Sequence, residues 1–295
     1  MRSGATGRAV ISIHTRVAEG RDRLRQVGIA RDEADLDARL LAEYLLGWDP
    51  ARFFTAAHGP EPSDFDAPYR ALIERRARRE PLAYITGRKE FWGLAFEVSP
   101  SVLIPRPETE LIVESALERF PDLAASLLIA DVGTGSGCLA VVLTRERPHA
   151  RVVATDVSAD ALGVARRNAA RHAVADRIQF IQTDLLNRNQ DSFDLIVSNP
   201  PYVPERDLAT LPPEVRDYEP AVALFAKDDG LAVIRRVVEQ SVARLRPGAV
   251  LVFEFGFGQA DAVSELISAT PGLTMVDVRS DLQGIPRTAI ARRTS

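Results

Sequence analysis

The stretch IADVGTGSGCLA, residues 129–140, decides how the rest of the chain is read. An apolar, β-forming run ends at Val132. Gly133, Gly135 and Gly137 then alternate with Thr134 and Ser136, and a helix-forming run follows. Glycines between a strand and a helix let the backbone turn sharply and let a ligand lie against it. Asp156 ends the next β-rich run, RVVATD, where a carboxylate can accept hydrogen bonds from both hydroxyls of a ribose. The spacing is G-x-G-x-G and not the G-x-G-x-x-G of dinucleotide-binding loops.

Working outward, LLIADVG, RVVATDV, RIQFIQTD, FDLIVSNP and AVLVFEFG read as strands with helices between them. Such alternation predicts a parallel sheet covered on both faces. LTMVDVRS and IPRTAIARR are joined too closely for a crossover, so they predict a terminal antiparallel hairpin. Before residue 85 the pattern is helical: Leu36, Leu40 and Tyr44 recur every fourth residue, with Leu41 and Leu45 beside them, and predict one apolar helical face. A second helix is expected from Asp64 or Asp66 to just before Pro81. Its Arg75, Arg76, Arg78 and Arg79 spread around the cylinder and read as a solvated face. FWGLAFEVSPSVLIP reads as a short hairpin linking the two parts.

Bulk properties narrow the function. The chain has 295 residues and a net charge of −4, against a protein that coats nucleic acid through bulk charge. The single Cys138 permits no internal disulfide, and four scattered histidines make no metal site, so no metal is expected. No apolar run is long enough for a bilayer and the N-terminus lacks a leader's apolar core, so a cytoplasmic protein with no membrane partner is expected.

The strand FDLIVS delivers Asn199-Pro200-Pro201-Tyr202 at its carboxyl end, on the side where doubly wound sheets bind ligands. Asp184, at the end of IQFIQTD, can accept from an adenine amino group with Leu185 against the ring, or serve as a helix N-cap. The loop resembles that of S-adenosylmethionine-dependent methyltransferases, and Asn-Pro-Pro-Tyr resembles the motif of those that modify a nitrogen conjugated to a π system. An amide nitrogen is a poor nucleophile because its lone pair is delocalised. Two acceptors, the Asn199 side-chain oxygen and the Pro200 carbonyl, would take its two N–H groups. The prolines would hold that carbonyl in place beforehand, and Tyr202 would pack against the substrate amide or the adenosine.

The segments EPLAYITGRKEFWGLAFEVSPSVLIPRPETE, EVRDYEPAVALFAKDDGL and DLQGIPRTAIARR resemble the PrmC/HemK family over nearly the whole chain from about residue 20. That resemblance implies a class I S-adenosylmethionine-dependent methyltransferase: an α/β, Rossmann-like seven-stranded sheet with a terminal antiparallel hairpin. It implies an N-terminal helical substrate-recognition domain over residues 1–85, a hairpin linker over 86–105 and a catalytic domain over 106–295. The implied activity is methylation of the glutamine amide in the Gly-Gly-Gln loop of class 1 peptide-chain release factors. The partner is then protein; the acidic net charge argues against direct nucleic-acid binding, and a monomer is the default.

On this reading S-adenosyl-L-methionine is held by Gly133, Thr134, Gly135, Ser136, Gly137, Asp156, Asp184, Leu185 and Asn199. The glutamine is held by Asn199, Pro200, Pro201 and Tyr202. Leu185 departs from relatives that carry a large aromatic there, implying a smaller contact to adenine. Residues 105–110, PRPETE, would flank the cofactor cleft, and VPERDLATLPPEVRDYEP would form a flap or a long surface loop over it. Residues 1–10 read as an extension outside the resemblance. The rival substrates are a glutamine of a ribosomal protein and, more distantly, adenine in nucleic acid. The latter would need a basic groove and a base-flipping pocket. A non-catalytic module on the same fold would have a degraded Asn199 motif.

Overall fold

The computed structural model describes residues 11–294, so the expected extension over residues 1–10 lies outside the described residues. The chain divides into two compact units, one ending at Thr86 and the other beginning at Gly87.

The first unit is helical: α1 (Ile13–Gln26), α2 (Arg31–Leu46), α3 (Pro50–Ala56), α4 (Asp66–Ala77) and α5 (Leu82–Thr86). Ser12 caps α1 by accepting from the Thr15 N–H at 3.1 Å, which satisfies one of the donors a helix start leaves open. The row Leu36, Leu40, Tyr44 is not the buried face of α2. Leu36 is 45% exposed and Tyr44 40%, whereas Ala34, Ala38, Leu41 and Ala42 are fully buried. Small side chains let α2 lie close to α1 and α4, and the Tyr69 hydroxyl donates to the Ala38 carbonyl at 2.9 Å in that close approach. Of the expected face Leu41 and Leu45 do pack on the core, while Leu36 and Tyr44 turn outward, and the alanines beside Leu41 permit the short separation. The arginine cluster also contains an exception to its solvated reading. Arg76 is buried, and its guanidinium donates to Asp37 and Glu33 at 2.5 Å each. Two carboxylates compensate a cation that could not be buried unpaired.

The second unit opens with an antiparallel hairpin of β1 (Arg88–Phe91) and β2 (Leu94–Glu97). Phe91 and Phe96 meet edge to face and are buried in the same core as the main sheet. The hairpin thus belongs to this unit, where the sequence reading had it as a linker. There follow α6 (Glu110–Arg119), β3 (Leu128–Val132), α7 (Cys138–Glu146), β4 (Arg151–Asp156), α8 (Ala159–Arg171), β5 (Ile178–Gln182) and β6 (Phe193–Ser198). A connection of short pieces comes next: β7 (Val203–Pro204), α9 (Pro213–Tyr218), α10 (Ala221–Leu224) and β8 (Phe225–Ala226). The chain ends with α11 (Ala232–Arg244), β9 (Leu245–Glu254), α12 (Ala260–Ala269), β10 (Leu273–Ser280) and β11 (Pro286–Arg293).

The seven-stranded sheet has the order β10-β11-β9-β6-β3-β4-β5. The five strands β9, β6, β3, β4 and β5 pair in parallel, and β11 is antiparallel to both β9 and β10, as expected from the tail. Alternation along each strand splits the apolar residues between two cores. Val152, Ala154, Leu195 and Val197 face the helices α6, α7 and α8. Val153, Ile196, Leu251 and Phe253 face α11 and α12. Strand order runs outward from β3 through β4 to β5, then returns to the other side of β3 with β6. That reversal opens a crevice beyond the carboxyl ends of β3 and β6. Among the described residues no helix is long and apolar enough to cross a membrane.

Candidate active site

A cleft of about 290 Å³ lies at that crevice. The ends of three neighbouring strands supply its floor: Gly133 to Ser136 after β3, Asp156 at the end of β4, and Asn199 after β6. Gly133 and Gly135 adopt positive φ, and a Cβ on either would meet nothing within 4 Å, so the loop offers bare backbone to the cleft. Gly137 serves packing instead. A Cβ there would stand 3.0 Å from the Ala165 Cβ, so its absence lets α8 approach the start of α7.

Asp156 is fixed by two backbone donors. Its Oδ2 accepts from the Gly135 N–H and its Oδ1 from the Ser158 N–H, both at 2.9 Å. Burial raises its carboxyl above the usual range, against the pull of these hydrogen bonds. Each oxygen keeps acceptor capacity for a hydroxyl. Asp184, Leu185, Val233 and Phe225 continue the lining, which gives an apolar slot beside the acid. No helix begins at Asp184, so it caps none; the Arg236 guanidinium of α11 donates to its Oδ2. Leu185 sits in the slot with a φ of 51°. Bare loop backbone, an acid placed for vicinal hydroxyls and an apolar slot next to it fit S-adenosylmethionine. Asp156→Ala is expected to weaken its binding by about 10²-fold, since hydrogen bonds to a charged group contribute about 1.5–3 kcal/mol each. Titration calorimetry checks this, with the urea midpoint as a control on folding.

Beneath the loop, Asp131 is fully buried. Its Oδ2 accepts from the Thr134 hydroxyl at 2.6 Å and the Ala140 N–H at 3.1 Å, while Oδ1 is buried without a partner. Burial pushes its carboxyl up to about 7 from an ordinary 3.8. Between those values the folded protein holds a proton that the unfolded chain has released, so stability falls as pH rises through this window. Asp131→Asn keeps an acceptor for both donors and removes the titration. The fall in Tm between about pH 5 and about pH 8 is expected to shrink by several degrees in this variant. An equal fall in both proteins would show that Asp131 is not its source. Cys138 also lines the cleft, but burial pushes its thiol up to about 12, so it is a packed side chain and not a nucleophile.

The Asn-Pro-Pro-Tyr segment divides its labour. Asn199 and Pro201 line the cleft; Pro200 is buried, and Tyr202 is not part of the lining. The Tyr202 ring, expected against the substrate amide or the adenosine, sends its hydroxyl 2.9 Å to Glu254 Oε1. The Asn199 Nδ2 donates to the Thr109 hydroxyl at 2.9 Å, and that hydroxyl donates to Glu254 Oε2 at 2.7 Å. With its NH₂ committed, Asn199 keeps Oδ1 as the atom available to a ligand. Glu254 and Thr109 are 1% and 2% exposed. Burial raises the Glu254 carboxyl and the Tyr202 hydroxyl above their ordinary values. Gln259 completes the support: its Nε2 donates to the carbonyls of Tyr202 at 3.0 Å and Asp229 at 2.9 Å, and its Oε1 accepts from the Gly256 N–H.

The PRPETE segment flanks the cleft as expected, with Pro105, Arg106 and Thr109 on its wall. Glu219 anchors it from the far side. This buried carboxylate accepts from the Ile104 N–H at 3.2 Å and pairs with Arg106. The proline-rich stretch before it is not an open loop but a chain of short helical turns, tied at both ends by the parallel pairing of β7 with β8. Sequence reasoning missed Arg236, Glu254, Gln259 and the role of Glu219. Glu254 alone left a signal, an acid inside the otherwise apolar run VLVFEFG.

The methyltransferase small domain model matches residues 109–211, and the PrmC N-terminal domain model matches residues 17–87. A crystal structure of a methyltransferase from Pyrococcus furiosus is 19% identical at a TM-score of 0.52, covering 75% of this chain and 99% of that one, which is a likeness of fold. The release factor glutamine methyltransferase of Geobacter sulfurreducens is 45% identical over 257 residues, 87% of this chain and 88% of its own. That of Bradyrhizobium diazoefficiens is 39% identical over 297 residues, 98% of this chain and 96% of its own. With both units matched and relatives aligned across nearly their full length, the chain belongs to the release factor glutamine methyltransferase family.

Proposed function

We infer that the protein methylates the side-chain amide nitrogen of the glutamine in the Gly-Gly-Gln loop of a class 1 peptide-chain release factor. The observation that carries this reading is Asn199, with its oxygen uncommitted, in the same cleft as the glycine loop and Asp156. S-adenosylmethionine supplies a methyl group on a sulfonium; as the amide nitrogen bonds to it the carbon–sulfur bond breaks, a thioether leaves and the nitrogen loses a proton.

The chain's own residues supply position rather than proton transfer. The Asn199 Oδ1 and the Pro200 carbonyl accept the two N–H groups of the glutamine, which turns the lone pair out of conjugation. The alkylated nitrogen is acidic and gives its proton to water, so no strong base is needed. Pro200 and Pro201 fix the backbone that carries the second acceptor. Asp156 and the bare loop hold the adenosine and orient the sulfonium.

The test is a transfer assay with labelled S-adenosylmethionine, offering release factor, the same factor with its loop glutamine changed to alanine, ribosomal protein and DNA. Label on the unaltered release factor alone is expected. Label on the ribosomal protein or DNA would overturn the substrate and leave the cofactor reading standing.

A further inference from the structure

Two hydroxyls and one carboxylate stand behind Asn199, and of the three only Thr109 reaches the wall of the cleft. Thr109 comes from the turn before α6, Glu254 from the end of β9 and Tyr202 from the same segment as Asn199. A carboxylate can only accept, so it obliges both hydroxyls to donate to it. The Thr109 oxygen, having spent its hydrogen on Glu254, must accept from its other neighbour. That neighbour is the Asn199 amide, which can satisfy it only with NH₂. The direction of the whole chain follows from the charge state of Glu254.

We propose that Glu254 and Thr109 are positioning residues that set the direction of this hydrogen-bond chain, so that Asn199 presents its oxygen and not its NH₂ to the substrate nitrogen. The proposal rests on the functional reading above, in which Asn199 must accept. A proton on Glu254 would let the chain run the other way: Glu254 to Thr109, Thr109 to the Asn199 oxygen, and the Asn199 NH₂ turned toward the cleft. An NH₂ facing an NH₂ repels the substrate amide instead of holding it. Tyr202 reinforces the carboxylate from the other oxygen. The charged groups around Glu254 are Glu108, which disfavours its ionisation, and Arg287, which favours it; Arg287 and Arg106 also act on Tyr202.

Three variants and two readouts test this. Thr109→Val removes the acceptor at nearly constant shape, Thr109→Ser restores it, and Glu254→Gln removes the obligatory acceptor at constant size. Thr109→Val and Glu254→Gln are expected to lower kcat by about 10- to 100-fold with the cofactor dissociation constant unchanged, and Thr109→Ser to keep most of the activity. At saturating cofactor the wild-type kcat is expected to fall as pH drops and Glu254 gains its proton, and Glu254→Gln to lack that acid limb.

The second readout needs no substrate. In ¹⁵N–¹H spectra the Asn199 side-chain NH₂, assigned by its loss in Asn199→Asp, is expected to exchange slowly in the wild type. It is expected to exchange fast in Thr109→Val and at low pH. Equal kcat in all variants, failure of Thr109→Ser to rescue, or an Asn199 NH₂ that exchanges alike in wild type and Thr109→Val would overturn the proposal. A wild-type protein that labels no glutamine but shows the protected NH₂ would overturn the functional reading and leave the direction of the chain established.

Discussion

Asn199→Ala is expected to lower kcat by about 10²–10³-fold while the dissociation constant for S-adenosylmethionine stays within about twofold. The substitution removes one of two acceptors that hold the substrate nitrogen, and it leaves the loop, Asp156 and the slot by Leu185 untouched. Glu254 and Thr109 keep a mutual hydrogen bond, so the fold loses little. Single-turnover methylation of release factor, with calorimetric titration of the cofactor, separates the two quantities. A parallel loss of cofactor affinity would place Asn199 in the cofactor site rather than on the substrate.

Gly230→Ala is expected to destabilise the protein by about 3–5 kcal/mol. Gly230 has a φ of 86°, and a Cβ there would stand 2.1 Å from the Tyr202 carbonyl oxygen and 2.5 Å from Gln259 Nε2. Neither can retreat cheaply, because the Gln259 amide ties that carbonyl to the Asp229 carbonyl and the Gly256 N–H. Gly248 supplies the control. Its φ of 80° is similar but a Cβ would meet nothing within 4 Å, so Gly248→Ala should cost only about 1–2 kcal/mol of backbone strain. Urea unfolding of both variants gives the comparison, and equal midpoints would show that overlap at Tyr202 is not the cause.

Features written in local pattern were legible in the sequence. The glycine loop, Asp156 and the end of β6 follow from alternating hydrophobicity punctuated by Gly, Asp and Pro, and each lies where that pattern predicts. The antiparallel tail was legible because a short connection forbids a crossover. What was missed depends on residues brought together from far apart. The buried face of α2 is chosen by the closeness of α1 and α4, which a leucine period does not encode. The bond from the Tyr202 hydroxyl to Glu254 was not legible, because Glu254 comes from another strand. Arg76 looks like any surface arginine until Asp37 and Glu33 are seen around it.

The Glu219 anchor has a consequence for how the protein comes into being. It joins residues 115 positions apart in the chain, and Thr109 and Glu254 are 145 apart. Contacts of such long sequence separation pay their loop-closure entropy before they return any stability, so they form late. The glycine loop and Asp156 are joined over 21 positions and are complete once β4 has paired with β3. A ribosome-bound chain ending before residue 254 therefore carries the cofactor cradle but not the support behind Asn199. The cradle and the support behind Asn199 thus differ in what they cost to close: 21 positions of chain for one, 145 for the other.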